Sequence, residues 1–113
     1  MHEMALCQGV LDIIDDQQRG QSFERVLRII LEVGALGHVD PHALRFAFDV
    51  SARGTAAEGA ALEIVELVGR AWCTQCSESV TLVRREDGCP RCGARTLILE
   101  QGEELRLREL EVI

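Results

Sequence analysis

The chain has 113 residues, an apolar fraction of 47% and a formal net charge of −7, which suits one ordinary domain or one domain with a small metal-stapled appendage. No apolar run is long enough to cross a bilayer and no secretory signal is visible, so we expect a cytoplasmic protein with no membrane partner. All twelve basic residues are arginine, which excludes lysine chemistry, and the acidic balance argues against nucleic acid as a partner.

The first sixty-odd residues predict an alternation of helices and strands. A helix is predicted over 3–19 from its apolar period, with Gly20 at the position of a terminating glycine. The alternating stretch FERVLRIILEVG predicts a strand. Asp40 and Pro41 then predict the N-cap and first residue of a second helix, which continues to about Arg53. The β-branched content of AALEIVELV favours a second strand.

The composition changes near residue 71, where apolar residues give way to cysteine, glycine and proline. Beyond this segment EELRLRELEVI predicts a last strand, and its apolar positions change parity near Glu109, which predicts a bulge or bend there. Because this strand can return to the first two, we predict a discontinuous main domain, 1–70 plus 98–113, and an inserted domain over 71–97. Trp72, the only tryptophan, is expected to pack where the two domains join.

The inserted segment carries two C-x2-C motifs separated by twelve residues. Each motif turns tightly and directs two thiolates at one point, so two motifs supply the tetrahedral sulfur set that Zn(II) accepts. Four thiolates leave no open coordination position, and we therefore predict a structural zinc ion in a zinc-ribbon lobe that needs the metal to fold. A pair of redox motifs is the alternative, although neither motif opens a helix. The predicted ligands are Cys73, Cys76, Cys89 and Cys92.

The chain begins with Met1, His2 and Glu3. The α-amine, the backbone nitrogen of His2 and its imidazole can close adjacent chelate rings, and a nitrogen-rich set of this kind suits Ni(II) or Cu(II). On the residues alone, a terminal histidine without a metal is the simpler interpretation. Cys7 lies one helical turn further on and could approach the same ion, but a buried core thiol is the favoured reading.

The same segments resemble the HypA/HybF family of small nickel metallochaperones. The resemblance extends over MHEMALCQGVLDII, VGALGHVDPHALRFAFDVSARGT, both C-x2-C motifs and QGEELRLRELEV. It implies an α+β fold with a three-stranded mixed sheet and two helices as the nickel domain, plus an inserted zinc-ribbon lobe. It also implies that Met1, His2 and Glu3 bind nickel as cargo and that the four cysteines of the insert bind zinc.

The resemblance further implies the partners. Family members hand Ni(II) to the immature large subunit of [NiFe]-hydrogenase, in some organisms also to urease, and cooperate with a nickel-binding GTPase. We expect a non-enzymatic protein, since no nucleophile–base constellation and no phosphate-binding loop is present, and either a monomer or a weak homodimer. The alternatives are a zinc-ribbon adaptor or nucleic-acid-binding module, and a thiol oxidoreductase.

Overall fold

The computed structural model describes residues 2–113, with side chains from Glu3 onward. The strands form two three-stranded sheets, and the predicted combination of two helices with a mixed three-stranded sheet is confirmed. In chain order the elements are α1 (His2–Gln21), β1 (Val26–Gly34), α2 (Pro41–Ser51), β2 (Ala61–Leu67), β3 (Gly69–Cys73), β4 (Glu78–Leu82), β5 (Leu97–Gln101) and β6 (Leu105–Val112).

Residue contacts divide the chain into two compact units, each made of separated segments. The first runs from the N-terminal helix to Glu32, then takes Val39–Val65 and Leu105–Ile113. The second takes Val33–His38 and Glu66–Glu104. The second unit thus includes residues on both sides of the 71–97 insert, together with the loop that follows β1. The assignment of nickel to one domain and zinc to the other stays a prediction.

The core of the first unit lies between the two helices and the sheet β2-β1-β6. On α1 the buried side chains recur at helical spacing, which gives that helix one apolar stripe. Leu44, Ala47 and Phe48 form the matching stripe of α2, and the two helices pack together. The buried residues of α1 are Cys7, Val10, Leu11 and Ile14.

Charged residues cross-link the three strands of this first sheet, in which β1 is central. Arg28 of β1 pairs with Glu63 of β2 at 2.9 Å and with Glu111 of β6 at 3.2 Å. Arg106 of β6 pairs with Glu32 of β1 at 2.5 Å. The exposed residues of β6 shift parity at Arg108 and Glu109, where the sequence predicts an irregularity. Apart from the Glu32 side chain, which is 17% exposed, the side chains of these ion pairs are solvent-exposed, so the pairs set strand register more than stability.

Both helices end at different residues from those predicted. Gly20 lies inside α1, and Ser22 instead takes the left-handed conformation, with φ of 56°, after the last helical residue. A 2.8 Å hydrogen bond from the Ser22 N–H to the Gln18 carbonyl completes this end. The second helix stops at Ser51 and not at Arg53. Its N-terminus is as predicted, because the Asp40 carboxylate accepts the His42 N–H at 2.9 Å.

In the second unit, the loop after β1 inserts Leu36 among the apolar side chains of the sheet β4-β3-β5. Leu36 is 2% exposed and packs with Ala71 and Leu82. Glycine is required beside it, since a Cβ on Gly69 would lie 2.8 Å from Leu36 and one on Gly102, with φ of +132°, would lie 2.7 Å from it. This loop therefore belongs structurally to the sheet β4-β3-β5 (the ribbon sheet). No helix among residues 2–113 has both the length and the apolar character to cross a membrane.

Candidate metal centre

The four cysteines predicted as zinc ligands lie on two loops at one end of the ribbon sheet. Cys73 is the last residue of β3, and the turn that leads to β4 carries Cys76. Cys89 and Cys92 lie in the long connection between β4 and β5. The antiparallel pairing of β3 with β4 and with β5 brings the two connections to the same end of the sheet.

The four sulfur atoms form a compact cluster with the dimensions of a zinc–tetrathiolate site. All lie within 4.8 Å of one another. The Sγ atoms of Cys73 and Cys92 are 3.7 Å apart, and those of Cys76 and Cys89 are 3.9 Å apart. A tetrahedron with Zn–S bonds of about 2.3 Å has sulfur–sulfur edges of roughly 3.8 Å. The donor set and the spacing are therefore compatible with zinc, and among the described side chains no other group of three or more His, Cys, Asp and Glu has this arrangement.

A backbone N–H group faces the first sulfur of each motif. The N–H of Cys76 lies 3.4 Å from the Cys73 sulfur, and the N–H of Arg91 lies 3.4 Å from the Cys89 sulfur. Hydrogen bonds from the backbone of Cys92 and of Arg91 lower the pKa of Cys89 to about 7. The pKa of Cys76 is raised to about 12, and the largest cause is its hydrogen bond with the Cys92 side chain. A divalent cation bound among the four sulfur atoms would favour their deprotonated form, because it would stabilise all four thiolates at once.

The second cysteine loop has the local geometry that its glycines allow. The Gly93 N–H donates to the Cys89 carbonyl at 2.8 Å, and the Cys89 N–H donates to the Ala94 carbonyl at 2.8 Å. Gly93 has a φ of +76°, a conformation that side chains disfavour. A Cβ on Gly88 would lie 2.8 Å from the Gly93 carbonyl oxygen. The tight turn that presents Cys89 and Cys92 thus depends on both glycines.

Polar contacts outside the sulfur cluster hold the two loops together. The Thr74 hydroxyl lies 2.9 Å from the Thr96 hydroxyl and donates to the Thr96 carbonyl at 3.1 Å. Arg91 forms an ion pair with Glu78 at the start of β4. Both contacts join the first cysteine loop to the second, so the chain itself helps to position the sulfur atoms.

The predicted nickel site lies largely outside the described residues. Met1 is not described, and for His2 only the backbone is, as the first residue of α1. Glu3 follows in the first helical turn and is partly buried. The first N–H groups of a helix have no acceptor within the helix, so the backbone nitrogens at this end are free of helical hydrogen bonds. The role of Met1, His2 and Glu3 as nickel ligands stays a prediction.

Cys7 is a core residue, as favoured from the sequence. Its side chain is 1% exposed, and its Sγ donates to the Leu44 carbonyl at 3.6 Å across the contact between α1 and α2. Burial, and secondarily the charge of Glu3, raise the pKa of the Cys7 thiol to about 11. A protonated thiol that faces the core is a poor metal ligand. His38 and His42 are exposed on the surface.

Comparison with known proteins identifies the family. A family model described as "Hydrogenase/urease nickel incorporation, metallochaperone, hypA" matches residues 1–112. The chain belongs to the HypA family. Among its HypA relatives, the hydrogenase maturation factor HypA of Rhodopseudomonas palustris strain TIE-1 is 53% identical over 112 residues, which is 99% of both chains. The HypA proteins of Acidithiobacillus ferrooxidans and Azotobacter vinelandii are 52% and 49% identical over the same share of each chain.

Solved HypA structures share the fold. The solution structure of the Ni metallochaperone HypA from Helicobacter pylori covers 98% of this chain with 97% of its own, at a TM-score of 0.71 and 20% identity. A second solution structure, of a HypA protein, covers 100% of this chain with 97% of its own, at a TM-score of 0.74 and 22% identity. The family match and the curated relatives confirm the resemblance to a nickel metallochaperone family seen in the sequence.

Proposed function

We propose that this protein binds Ni(II) at its N-terminus and delivers it to the immature large subunit of [NiFe]-hydrogenase. The observation that carries the proposal is the family match, which begins at residue 1 and therefore includes the MHE start. The α-amine, backbone nitrogens and imidazole of Met1 and His2, with Glu3, offer the nitrogen-rich set that Ni(II) accepts. Nickel is cargo in this scheme, and the protein acts on it without catalysis in the cytoplasm.

We propose further that Cys73, Cys76, Cys89 and Cys92 hold a resident structural Zn(II). Support comes from the sulfur distances and from the backbone N–H groups that face Cys73 and Cys89. When bound, zinc supplies a fixed cross-link between the two cysteine loops. The chain's own contribution is to aim the sulfur atoms and to exclude water from Cys73 and Cys89, which are 0% and 3% exposed.

Delivery needs a site that releases its ion as readily as it holds it. A chain terminus can release its donor atoms from the ion one at a time while the donor atoms of an acceptor replace them, so we propose that nickel transfer is associative. We propose that a nickel-binding GTPase takes part in the delivery. The rate of nickel transfer to a small chelator should therefore rise with chelator concentration. A rate that stays constant as the chelator is increased would show that the ion leaves first and would refute this mechanism.

The test of the site is a nickel titration by calorimetry on the zinc-loaded protein with a native N-terminus. We expect one site per chain, with proton release on binding, and its loss in His2→Ala. His42→Ala is the matched control, because His42 is an exposed histidine on α2, and it should bind as wild type. Equal binding by wild type and His2→Ala would move the nickel site elsewhere in the chain.

The test of the client is reconstitution with the immature hydrogenase subunit. Nickel-loaded wild type together with the GTPase should give a nickel-containing subunit, whereas His2→Ala should not, although it keeps its zinc. Transfer that proceeds equally with free Ni(II) at the same concentration would show that the protein has no part in delivery. A parallel reaction with apo-urease decides whether urease is also a client.

A further inference from the structure

The four cysteines of the cluster differ in their exposure to solvent. Cys73 and Cys89, which are the first cysteines of the two motifs, are 0% and 3% exposed. Cys76 is partly buried, and Cys92 is exposed. Reaction with a dissolved oxidant needs a sulfur atom that solvent reaches. Cys92 is therefore the cysteine of the cluster that such an oxidant reaches first.

The surroundings of Cys92 leave its loop open to solvent and favour its thiolate. A Cβ on the next residue, Gly93, would have no other atom within 4 Å, so the space on that side of the turn is open. Segment 88–95 contains two arginines and no acidic residue, and one of the two, Arg91, also pairs with Glu78. Positive charge nearby stabilises a thiolate, and an exposed thiolate is the form of cysteine that oxidants attack.

A second cysteine is in contact with the Cys92 sulfur. The Sγ atom of Cys73 lies 3.7 Å from that of Cys92, and the Sγ atoms of Cys76 and Cys89 are 3.9 Å apart. Each pair takes one cysteine from each motif, so both contacts cross from one loop to the other. An oxidised sulfur at Cys92 therefore has a partner beside it with which it can form a disulfide.

We propose that the cysteine cluster is a peroxide-sensitive site, in which Cys92 is oxidised first and Cys73 then forms a disulfide with it. The Cys92 thiolate attacks hydrogen peroxide: an S–O bond forms, the O–O bond breaks, and hydroxide leaves and is protonated to water. The Cys73 thiolate then attacks the Cys92 sulfur: the S–S bond forms, the S–O bond breaks, and a second hydroxide leaves as water. The two thiolates together lose two electrons, and one peroxide is reduced to two waters.

This disulfide releases the metal, and the inference therefore rests on the proposed zinc site. A disulfide sulfur carries no negative charge, and Cys76 and Cys89 alone cannot complete a tetrahedral zinc site. The new bond joins the same two loops that zinc joins. A dithiol reductant with added zinc therefore restores the original site. The zinc content of the ribbon, and with it the stability of the second unit, then follows the supply of oxidant, independently of nickel binding.

Zinc release tests the reaction in the zinc-loaded, full-length protein with hydrogen peroxide and a chromogenic zinc chelator. We expect one zinc per chain to be released at least about tenfold faster than without peroxide, and to be taken up again after treatment with a dithiol. Cys7→Ser is the matched control, since Cys7 is 1% exposed and lies outside the cluster, and it should release zinc at the wild-type rate. A protein that takes up no zinc at the start would refute the zinc site itself. Bound zinc that peroxide does not release faster would overturn the redox proposal alone.

Peptide mapping identifies the sulfur that reacts first and the disulfide that forms. Trypsin cleaves after arginine, so Cys92 lies alone on fragment 92–95, whereas fragment 71–84 carries Cys73 and its motif partner and fragment 86–91 carries the remaining cysteine. With less than one equivalent of peroxide, dimedone, which traps sulfenic acids, should label 92–95 first. Without dimedone, the first disulfide should join 92–95 to Cys73 in 71–84. First labelling of another fragment, or a first disulfide between any other two cysteines, would overturn the proposal.

Discussion

Removal of zinc should unfold the second unit while the first unit keeps its helices. The buried apolar side chains of the second unit apart from its cysteines are few, and all are aliphatic: Val33, Leu36, Ala71, Val80 and Leu82. At about 1.5–3 kcal/mol for each of the larger ones, their burial supplies roughly 8 kcal/mol before the entropy of ordering the chain is subtracted. Structural zinc contributes about 10–16 kcal/mol at neutral pH. Without the ion, the second unit therefore falls below the stability that a folded domain needs.

Two spectroscopic signals report separately on the two units. Trp72 is the only tryptophan and lies beside Cys73 in β3, so its fluorescence anisotropy reports on the second unit. Both helices belong to the first unit, so helical circular dichroism reports on that unit. A strong chelator should lower the anisotropy and leave most of the helical signal, and added zinc should reverse the change.

Two variants sharpen the result. Cys89→Ser removes a ligand and should reproduce the effect of the chelator, whereas Cys7→Ser removes a cysteine outside the cluster and should keep both zinc and anisotropy. Simultaneous loss of both signals would show that the chain unfolds as one cooperative body. An unchanged anisotropy after zinc has left would show that packing around Leu36 suffices, and would refute the magnitude argument.

Three further predictions concern stability. Asp40→Ala should lower the free energy of unfolding by about 1 kcal/mol in thermal denaturation, because it removes the acceptor of the His42 N–H. Asp40→Asn should lower it little, and equal losses in the two variants would exclude the N-cap as the cause. Gly34→Ala should yield little folded protein on expression, because the added Cβ would lie 2.1 Å from the Gly102 backbone. Gly54→Ser should reduce the yield of folded protein less, because Gly54 has open space around it and only its φ of +79° disfavours a side chain. The folded-state pKa of Cys7 is raised, from 9.0 to about 11, so its contribution to stability is complete below pH 9 and is lost as the pH rises to 11. Urea denaturation should show wild type losing roughly 1–3 kcal/mol more than Cys7→Ala over that interval, and parallel pH profiles would contradict the shift.

Much of the fold follows from local sequence signals. The helix and strand periods of the first half are strong because each element buries one side against a common core, and Asp40-Pro41 marks a helix start by its own hydrogen bonding. The cysteine spacing predicts a cluster because two tight turns are enough to bring the four sulfur atoms together. These features depend on residues that are neighbours in the chain.

Most features that sequence reasoning missed depend on residues distant in the chain. The segment GRAWC gives little sign of being a strand, since it has five residues and is held by partners 5 to 13 positions away on β4 and 24 to 31 positions away on β5. The place of Leu36 in the ribbon sheet depends on Gly69 and Gly102, which follow it by more than thirty residues. Trp72 is 38% exposed on β3, and its expected packing where the two domains join stays a prediction. Gly20 was misread because Ser22 ends the helix by a backbone conformation that serine rarely adopts.

The interleaving of the two units has a consequence for biosynthesis. Because the first unit includes β6 and the second needs both Leu36 and the residues up to Glu104, neither unit can be completed from an early part of the nascent chain. At about 5–20 residues per second, synthesis of these 113 residues takes roughly 6–23 s. The N-terminal segment therefore leaves the ribosome well before the sheet that supports its helix exists. Neither unit can therefore finish folding before Glu104 has been synthesised, and the first unit must also wait for β6.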